Sequence, residues 1–430
     1  MKNLNRKIQP KYEEINKIDI PLSKSIKLDN DIPVVVINAG TQDIIKLDLL
    51  FYAGDWMQNK ALVACLTNEM LKEGTKSYSS FQISEKLDFY GAFVHQSTSK
   101  DSAQVTLFTL RKFLKETIEI FEDIIKNPIF PIDEFVKFVN KKKQHFQIEQ
   151  SKVSNLSRDK FFEQVFGQEN PYGKIEKLSD FDNVNAGELK EFHEKYYNAN
   201  NCKIIISGKV DEHDIKILNN TFGGNDWSAK EEIKFPVYEL SQTSTELSIV
   251  NRKDAVQSAI FVGKKTINKR NNDYIKLQIT NTILGGYFGS RLMKTLRENK
   301  GYTYGISSIL MSFQNSGVFF IVTEVGADNT KNAVDNILTE ISKLRNEPVL
   351  YAELNLVKNY LLGSILRMFD GPFAISSAWK SLIEFDMDIE YFEKAIDIIK
   401  NISSKEIMHI ANKYLNEQTM AKVIAGKYKG

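Results

Sequence analysis

The chain has 430 residues, of which 42% are hydrophobic and 26% charged, and its formal net charge is +2. This length exceeds what one ordinary hydrophobic core supports, so we expect two or more domains. The near-neutral charge gives no general electrostatic reason to bind nucleic acid or membrane surfaces. The two cysteines, Cys65 and Cys202, are too few for a disulfide framework and do not suggest a cysteine-based zinc site.

The N-terminal stretch carries charges but no apolar segment of the signal-peptide type. No apolar run elsewhere reaches the length that spans a membrane. We therefore expect a cytoplasmic protein without a membrane span.

The first half of the chain alternates predicted strands with amphipathic helices. An edge hairpin is predicted over 24–36, with Asn30 and Asp31 at its turn, followed by a strand over 44–52. A helix over 62–72 should end near Gly74. Further helices are predicted over 80–91, 113–125 and 132–149, from about 159, and over 185–197, and further strands over 92–99, 102–110 and 202–207.

The second half repeats this order after a stretch, 223–244, that lacks apolar periodicity and is interpreted as a linker. Strands are predicted over 257–263, 304–311 and 318–324, and helices over 273–284, over 329–345 and from 352. In both halves an amphipathic helix ends at a proline, Pro128 or Pro348, and an acidic helix start follows. The sequence thus predicts an α+β protein of two homologous α/β-sandwich domains, 1–222 and 245–430, joined by the linker.

One stretch, 284–305, reads L-G-G-Y-F-G-S-R-L-M-K-T-L-R-E-N-K-G-Y-T-Y-G. Its glycines at 285, 286 and 289 suggest a φ-permissive hinge that lets the backbone approach a neighbour closely. A basic helix is predicted to end at Gly301, and Tyr302 and Tyr304 are predicted to start a strand on which they face the same side. By itself this is equally typical of a helix–turn–strand with a solvated basic face.

The string resembles the C-terminal half of the insulinase/pitrilysin-like zinc metallopeptidases, which include the mitochondrial processing peptidases. Their signature there is G-x-x-S-R-L-x-x-x-L-R-E-x-x-G-x-x-Y, and the resemblance extends over nearly the whole chain. It implies two homologous domains that face one another like the halves of a clam, with a peptide substrate between them.

The zinc motif of that family, H-x-x-E-H on the first helix, is replaced in this chain. Gly74-Thr75 matches a family landmark, and the five aligned positions before it read Cys65-Leu66-Thr67-Asn68-Glu69. The resemblance therefore places Cys65 and Glu69 at the two histidine positions, Asn68 at the general-base glutamate, and Glu149 at the third, carboxylate ligand.

Cys65, Glu69 and Glu149 could in principle hold a metal, but such a mixed ligand set is uncommon for zinc. Asn68 cannot act as a base at neutral pH. The five histidines, His95, His145, His193, His213 and His409, form no i, i+4 pair. Lys141–Lys143, which precedes Glu149, is interpreted as a solvated helix face. We therefore predict no metal or other cofactor in this chain.

In family members built from separate subunits, the subunit without zinc contributes an arginine and a tyrosine to its partner's active site. The resemblance carries these roles to Arg297 and Tyr304. Fixed donors of this kind can stabilise the oxyanion of an attacked peptide bond or grip the peptide. The alternative is structural: Arg297 pairs with Glu298 or another acid, and Tyr304 packs in the sheet.

The resulting hypothesis is a non-catalytic subunit of a heterodimeric zinc metallopeptidase. A zinc-bearing homologous subunit would be its partner, and both would enclose a peptide substrate. The alternative is a homodimeric peptide-binding or assembly protein without protease activity. A third interpretation, an active peptidase with an unusual metal site, needs Cys65, Glu69 and Glu149 to coordinate together.

Overall fold

The protein is described by a computed structural model over residues 15, 17–21, 23–228 and 232–428. The charged stretch 1–14 and part of the predicted linker, 229–231, lie outside these residues. Two mixed sheets organise the described chain, one in each half. The strands of the first sheet are β1 (Lys24–Lys27), β2 (Pro33–Asn38), β3 (Ile44–Phe51), β4 (Phe93–Thr98), β5 (Ala103–Leu110) and β6 (Cys202–Gly208). Those of the second are β7 (Leu247–Asn251), β8 (Gln257–Thr266), β9 (Ile306–Ser312), β10 (Gly317–Gly326) and β11 (Ala421–Gly426).

Helices cover the sheets in both halves. The first half contains α1 (Val63–Met70), α2 (Ser80–Phe89), α3 (Leu114–Lys126), α4 (Ile132–Glu149), α5 (Val153–Phe166), α6 (Asp180–Asn183), α7 (Ala186–Tyr196) and α8 (Glu212–Phe222). The second half contains α9 (Tyr274–Asn281), α10 (Thr330–Asn346), α11 (Tyr351–Met368), α12 (Pro372–Ile383), α13 (Glu390–Asn401) and α14 (Ser404–Tyr414), with π-helical turns at Thr282–Gly286 and Met293–Asn299.

The two sheets have the same topology. The first has the order β1-β2-β6-β3-β5-β4 and the second has β7-β11-β8-β10-β9, so they correspond strand by strand except for the additional edge strand β1. In each sheet the first corresponding pair, β2 with β6 or β7 with β11, is parallel, and every later pair is antiparallel. The expectation of two homologous α+β units is confirmed.

Local sequence explains why the corresponding helices begin where they do. α7 starts with a capping box of Asn185 and Glu188, and its counterpart α14 starts with one of Ser403 and Glu406. Each box satisfies backbone N–H groups that a helix start leaves without partners. The two helices therefore begin at equivalent places in their halves.

One helix of each half packs against the sheet of the other half. α5 lies against β8 and β11, and the ring of Phe161 is 5.4 Å from that of Phe261 and 5.7 Å from that of Phe320. Conversely, α12 lies against β2 and β6. At that second junction Ser376 Oγ donates to Asp48 Oδ2 at 2.6 Å. The halves are thus joined by aromatic packing on one side and by a buried polar network on the other.

The predicted linker region runs without helix or strand over 232–246. It is held by side chains of the first half. Trp56 Nε1 donates to the carbonyl of Pro236 at 3.0 Å, and its ring lies 4.9 Å from that of Tyr238. Asn170 Nδ2 donates to the carbonyl of Glu239 at 3.1 Å. This segment therefore follows the first half closely before β7 begins.

Two local predictions were wrong. α5 begins at Val153, six residues before the predicted position near 159, and no side chain caps its start. Tyr302 and Tyr304 do not lie on a strand, because Gly301 turns the chain at φ +64° and β9 starts only at Ile306. The glycines at 285, 286 and 289 do not adopt positive φ in this conformation, and their predicted role as a hinge stays a prediction.

Gly285 lets the backbone approach its neighbour closely, as predicted, because a Cβ there would lie 2.7 Å from the backbone nitrogen of Ser308. No helix in the described part of the chain combines the length and hydrophobicity that a membrane crossing requires.

Candidate functional site

The first helix, α1, lies between the edge of the first sheet and α7. Its Asn68, at the position of the family's general base, is fully buried and points at the edge strand. Asn68 Nδ2 donates to the carbonyl of Ser97 at 2.9 Å and to Thr98 Oγ1 at 3.1 Å. In return, Gln96 Nε2 donates to the backbone carbonyl of Asn68 at 2.8 Å. Asn68 therefore fixes the helix to the strand and has no role in moving protons.

Cys65 is not placed to act as a metal ligand. Its Sγ lies 3.2 Å from the carbonyl oxygen of Leu62, to which the thiol donates. Burial raises the pKa of the Cys65 thiol well above its usual range, and the nearby carboxylates of Glu176, Asp55 and Glu69 raise it further. Because the thiolate is the form that binds metals, a metal here would have to displace the proton of a thiol whose surroundings favour the neutral form.

Glu69 is paired with a lysine. Lys142, on α4, places its Nζ 2.7 Å from Glu69 Oε1 and 2.6 Å from Oε2, and only the first contact has hydrogen-bond geometry. The fixed ammonium neutralises a carboxylate that would otherwise be free for a cation. The interpretation of Lys141–Lys143 as a solvated face was wrong in this respect, since Lys142 bridges two helices and Lys143 pairs with Asp182.

Glu149 lies two helical turns after Lys142 and has local partners. It accepts from Lys152 Nζ at 2.6 Å and from Asn155 Nδ2 at 3.0 Å. These hydrogen bonds, that of Lys152 foremost, lower the pKa of the Glu149 carboxyl. Among the described residues no three histidine, cysteine, aspartate or glutamate side chains come together as a metal site. The residues present thus do not fit the zinc of the family.

The second half contains a matching corner that the sequence analysis missed. The segment L-T-N-E-M-L, 66–71, corresponds to I-T-N-T-I-L, 279–284. Asn281 Nδ2 donates to the carbonyl of Ser308 on β9 at 3.2 Å, and Ser308 Oγ donates to the carbonyl of Asn281 at 3.0 Å. The same helix-to-edge-strand clamp therefore occurs in both halves. The signal that would have revealed it is the shared T-N dipeptide with a leucine three residues after the asparagine.

Arg297 lies on the π-helical turn that precedes the Gly301 loop. Its guanidinium carbon is 4.5 Å from the ring centroid of Phe288, which is largely exposed. In the described part of the chain no carboxylate pairs with Arg297, so the predicted structural pairing with Glu298 is not seen. By contrast, Arg291 forms a two-pronged pair with Glu353, with both N–O distances at 2.8 Å.

Tyr304 is 93% exposed in the loop before β9. It does not pack in the sheet, because the loop is closed by its threonine neighbours instead. Thr303 Oγ1 accepts from the N–H of Gly305 at 3.0 Å, and Thr323 Oγ1 donates to the carbonyl of Gly305 at 2.9 Å. Arg297 and Tyr304 thus occupy one short segment, in which Tyr304 is exposed and Arg297 is half-buried against Phe288.

A cavity of about 510 Å³ lies between α5 and the inner face of the second sheet. Its walls are mainly aromatic and aliphatic side chains from both halves: Phe146, Phe162, Tyr172, Phe261, Ile309 and Phe320. Lys100 and Glu176 stand at its polar side and also line an adjoining cavity of about 210 Å³. Burial, and secondarily Asp55, raise the pKa of the Glu176 carboxyl.

The histidines do not contribute a site. His193 is buried on α7, its Nε2 donates to the carbonyl of Ile125 at 2.7 Å, and burial lowers its pKa to about 4. The other four, His95, His145, His213 and His409, are exposed.

Comparison with known proteins agrees with this geometry. Residues 33–173 match the family model described as insulinase (peptidase family M16), and residues 183–361 match the one described as peptidase M16 inactive domain. An uncharacterized zinc protease of Rickettsia felis is 26% identical over 415 residues, which are 93% of this chain and 96% of the relative. The non-peptidase homolog YmxG of Helicobacter pylori is 22% identical, over 86% of each chain.

Solved structures extend the likeness to the fold. A crystal structure described as a peptidase M16 inactive domain, from Pseudomonas fluorescens, has a TM-score of 0.87 at 22% identity and covers 95% of this chain and 99% of its own. The family's histidine pair and general-base glutamate are absent from α1, where Cys65, Asn68 and Glu69 stand instead. The chain therefore belongs to the M16 (insulinase) peptidase family, of which it is a non-catalytic member.

Proposed function

We propose that this protein is the non-catalytic subunit of a heterodimeric zinc peptidase, and that it encloses and binds peptides for a zinc-bearing homologous subunit. One observation carries the proposal. The corner that would hold zinc is occupied by the Asn68 clamp and the Glu69–Lys142 pair. In contrast, Tyr304 is exposed, Arg297 is half-buried against the ring of Phe288, and neither pairs with a described carboxylate.

Arg297 suits the role because its position is fixed while its charge is available. The face of Phe288 supports the guanidinium, and a cation over an aromatic ring is held without using its N–H donors. Those donors can then grip a peptide carbonyl or carboxylate in a fork. The phenol of Tyr304 adds a second donor from the same segment.

The peptide bond would be attacked through the zinc chemistry of the partner subunit. The contribution of this chain is to place donors where negative charge develops on the carbonyl oxygen. In other enzymes, removing one such donor lowers turnover by about 100-fold to 1,000-fold.

The test is reconstitution of the pair from separately purified subunits. The chain is mixed with a zinc-bearing M16 homologue, and cleavage of a fluorogenic peptide is followed beside sedimentation of the complex. Arg297→Ala should lower kcat by about 100-fold and Tyr304→Phe by about tenfold, with assembly intact. Lys294→Ala, an exposed lysine on the same turn, is the matched control and should leave kcat unchanged. Full activity of the assembled Arg297→Ala pair would refute the role given to that residue.

A second candidate is a homodimeric peptide-binding or assembly protein without protease activity. The cavity of about 510 Å³ favours it, because its apolar walls with a few polar groups are typical of ligand sites and need no zinc-bearing partner. Under this function the purified chain alone would be a dimer and would bind peptides. A monomer in sedimentation that binds peptides only in the mixed pair would exclude it.

A further inference from the structure

A second, smaller cavity lies inside the helical layer of the C-terminal half. It has a volume of about 110 Å³ and is enclosed by α9, α11, α12 and α13. Its walls are mostly aliphatic side chains, including Ile279, Leu361, Ile365 and Ile399. Neither the clamp nor the Arg297 segment contributes a residue to it.

One charged residue lines this cavity within the described chain, and that residue is Lys269. Lys269 Nζ donates to the carbonyl of Ser381 at 3.3 Å and lies 5.4 Å from the ring centroid of Phe385. No described carboxylate stands at ion-pair distance from it. Its neighbour Arg270, in contrast, pairs with Asp386 at 3.4 Å.

An ammonium in such surroundings is poorly satisfied. It carries three N–H donors, and one backbone carbonyl accepts from it here. Burial lowers the pKa of Lys269, and the more distant charge of Glu384 offsets this only in part. A half-buried amine with one protein acceptor, beside an apolar space, would therefore be stabilised by a bound anion.

The volume limits the size of that anion. An engineered apolar cavity of about 150 Å³ holds benzene, which has six carbon atoms. A space of about 110 Å³ accordingly suits a ligand of roughly six non-hydrogen atoms or fewer. A carboxylate of three to four carbons meets both the charge and the volume.

We propose that this cavity binds a short-chain monocarboxylate, with the carboxylate on Lys269 Nζ and the alkyl chain between α9, α11 and α13. The charged contact fixes the head group, and the aliphatic walls select a short unbranched or singly branched tail. The site needs no partner subunit, so its test is independent of the proposed peptidase role.

The experiment is calorimetric titration of the full-length chain with butyrate at pH 7. Butyramide, which has nearly the same shape without charge, is the matched ligand. We expect butyrate to bind and butyramide to bind at least about tenfold more weakly, because a charge-assisted hydrogen bond is replaced by a neutral one.

Two variants locate the binding. Lys269→Met keeps the length of the side chain and should weaken butyrate binding by about tenfold or more. Lys265→Met is the control, because Lys265 is also a half-buried lysine of this half but lies outside the cavity. It should bind butyrate as the unmodified protein does.

Ala395→Phe provides a check that does not depend on charge, since it fills the cavity from α13 and should abolish binding in a folded protein. Circular dichroism verifies folding of each variant. The proposal is overturned if the unmodified protein does not bind butyrate at millimolar concentration, if butyramide binds equally well, or if Lys269→Met binds like Lys265→Met.

Discussion

The corner of α1 and β4 and the corner of α9 and β9 are two versions of one structure. In both, an asparagine near the helix end donates to a carbonyl of the edge strand, and a strand side chain donates back to the asparagine carbonyl. They differ at the next residue. Glu69 pairs with Lys142, whereas Thr282 Oγ1 donates within its own helix to the carbonyl of Gln278 at 2.8 Å.

This difference distinguishes the first half from a zinc-binding relative, because α1 lacks the H-x-x-E-H motif. Asn68 makes the kind of contact that Asn281 makes in the second half, and Lys142 supplies a positive charge beside Glu69. The two corners therefore share the asparagine clamp, but the first half has a charged pair where the second half is neutral.

The largest expected effect concerns the junction where α12 meets the first sheet. Lys46 Nζ lies 2.8 Å from Asp48 Oδ2 in a buried network, whereas the equivalent junction of α5 is aromatic. Lys46→Met should cost about 3–5 kcal/mol in urea denaturation, because it leaves the fully buried Asp48 without its counter-charge. Phe161→Leu at the other junction should cost only about 1–2 kcal/mol.

The triple variant Lys46→Met, Asp48→Leu, Ser376→Ala is the control for this asymmetry. It should recover most of the lost stability, since a buried ion pair can often be replaced by apolar side chains. If Lys46→Met alone costs less than about 1 kcal/mol, the polar junction does not hold α12 as described.

The next prediction concerns the pH dependence of stability, to which only the first half contributes a buried histidine. His193 on α7 corresponds to Ala411 on α14, so only the first half carries a buried imidazole at this place. The folded pKa of about 4 lies below the ordinary value of 6.5, hence the unfolded chain binds the proton first. The stabilising contribution of the neutral His193 should be fully present above pH 6.5. The free energy of unfolding should then fall by about 3 kcal/mol as the pH drops to about 4.

The measurement is urea denaturation of the unmodified protein and of His193→Gln between pH 7 and pH 4. Carboxylates titrate in both proteins, and therefore the difference between the two slopes isolates the histidine. Equal slopes would contradict the buried, neutral imidazole.

A smaller effect tests the clamps themselves. Asn68→Ala should destabilise the protein by about 2–3 kcal/mol, because two carbonyls and a hydroxyl lose their buried donor. Asn281→Ala should destabilise it by about 1–2 kcal/mol, because only one carbonyl loses its donor. The readout is the free energy of unfolding from chemical denaturation. A larger loss for Asn281→Ala would reverse the order inferred from these contacts.

Much of the fold could be predicted from the sequence, because hydrophobic period and turn residues locate elements. The hairpin turn at Asn30-Asp31 and the helix ends at Gly91 and Gly301 are of this kind, and positive φ values at Asp31 and both glycines bear them out. The exchange of α5 and α12 between the sheets could not be predicted, since periodicity shows that a helix face is buried but not which sheet covers it.

For the candidate site, the spacing to Gly74-Thr75 was enough to identify the replaced motif. The side chains that contact these residues in the fold could not be predicted from the sequence. Lys142 looked like one of three lysines on a helix surface, and its contact with Glu69 depends on how α4 crosses α1. The Phe288 support of Arg297 likewise depends on a π-helical turn, which has no simple sequence signal.

The most direct test of the account is the zinc content of the purified full-length chain after equilibration with excess zinc and gel filtration, measured by elemental analysis. The account predicts close to zero zinc per chain, the same as in Cys65→Ala. The reason is that the Cys65 thiol donates to the carbonyl of Leu62, Glu69 is held by Lys142, and Glu149 is turned to Lys152. One zinc per chain that disappears in Cys65→Ala would contradict it.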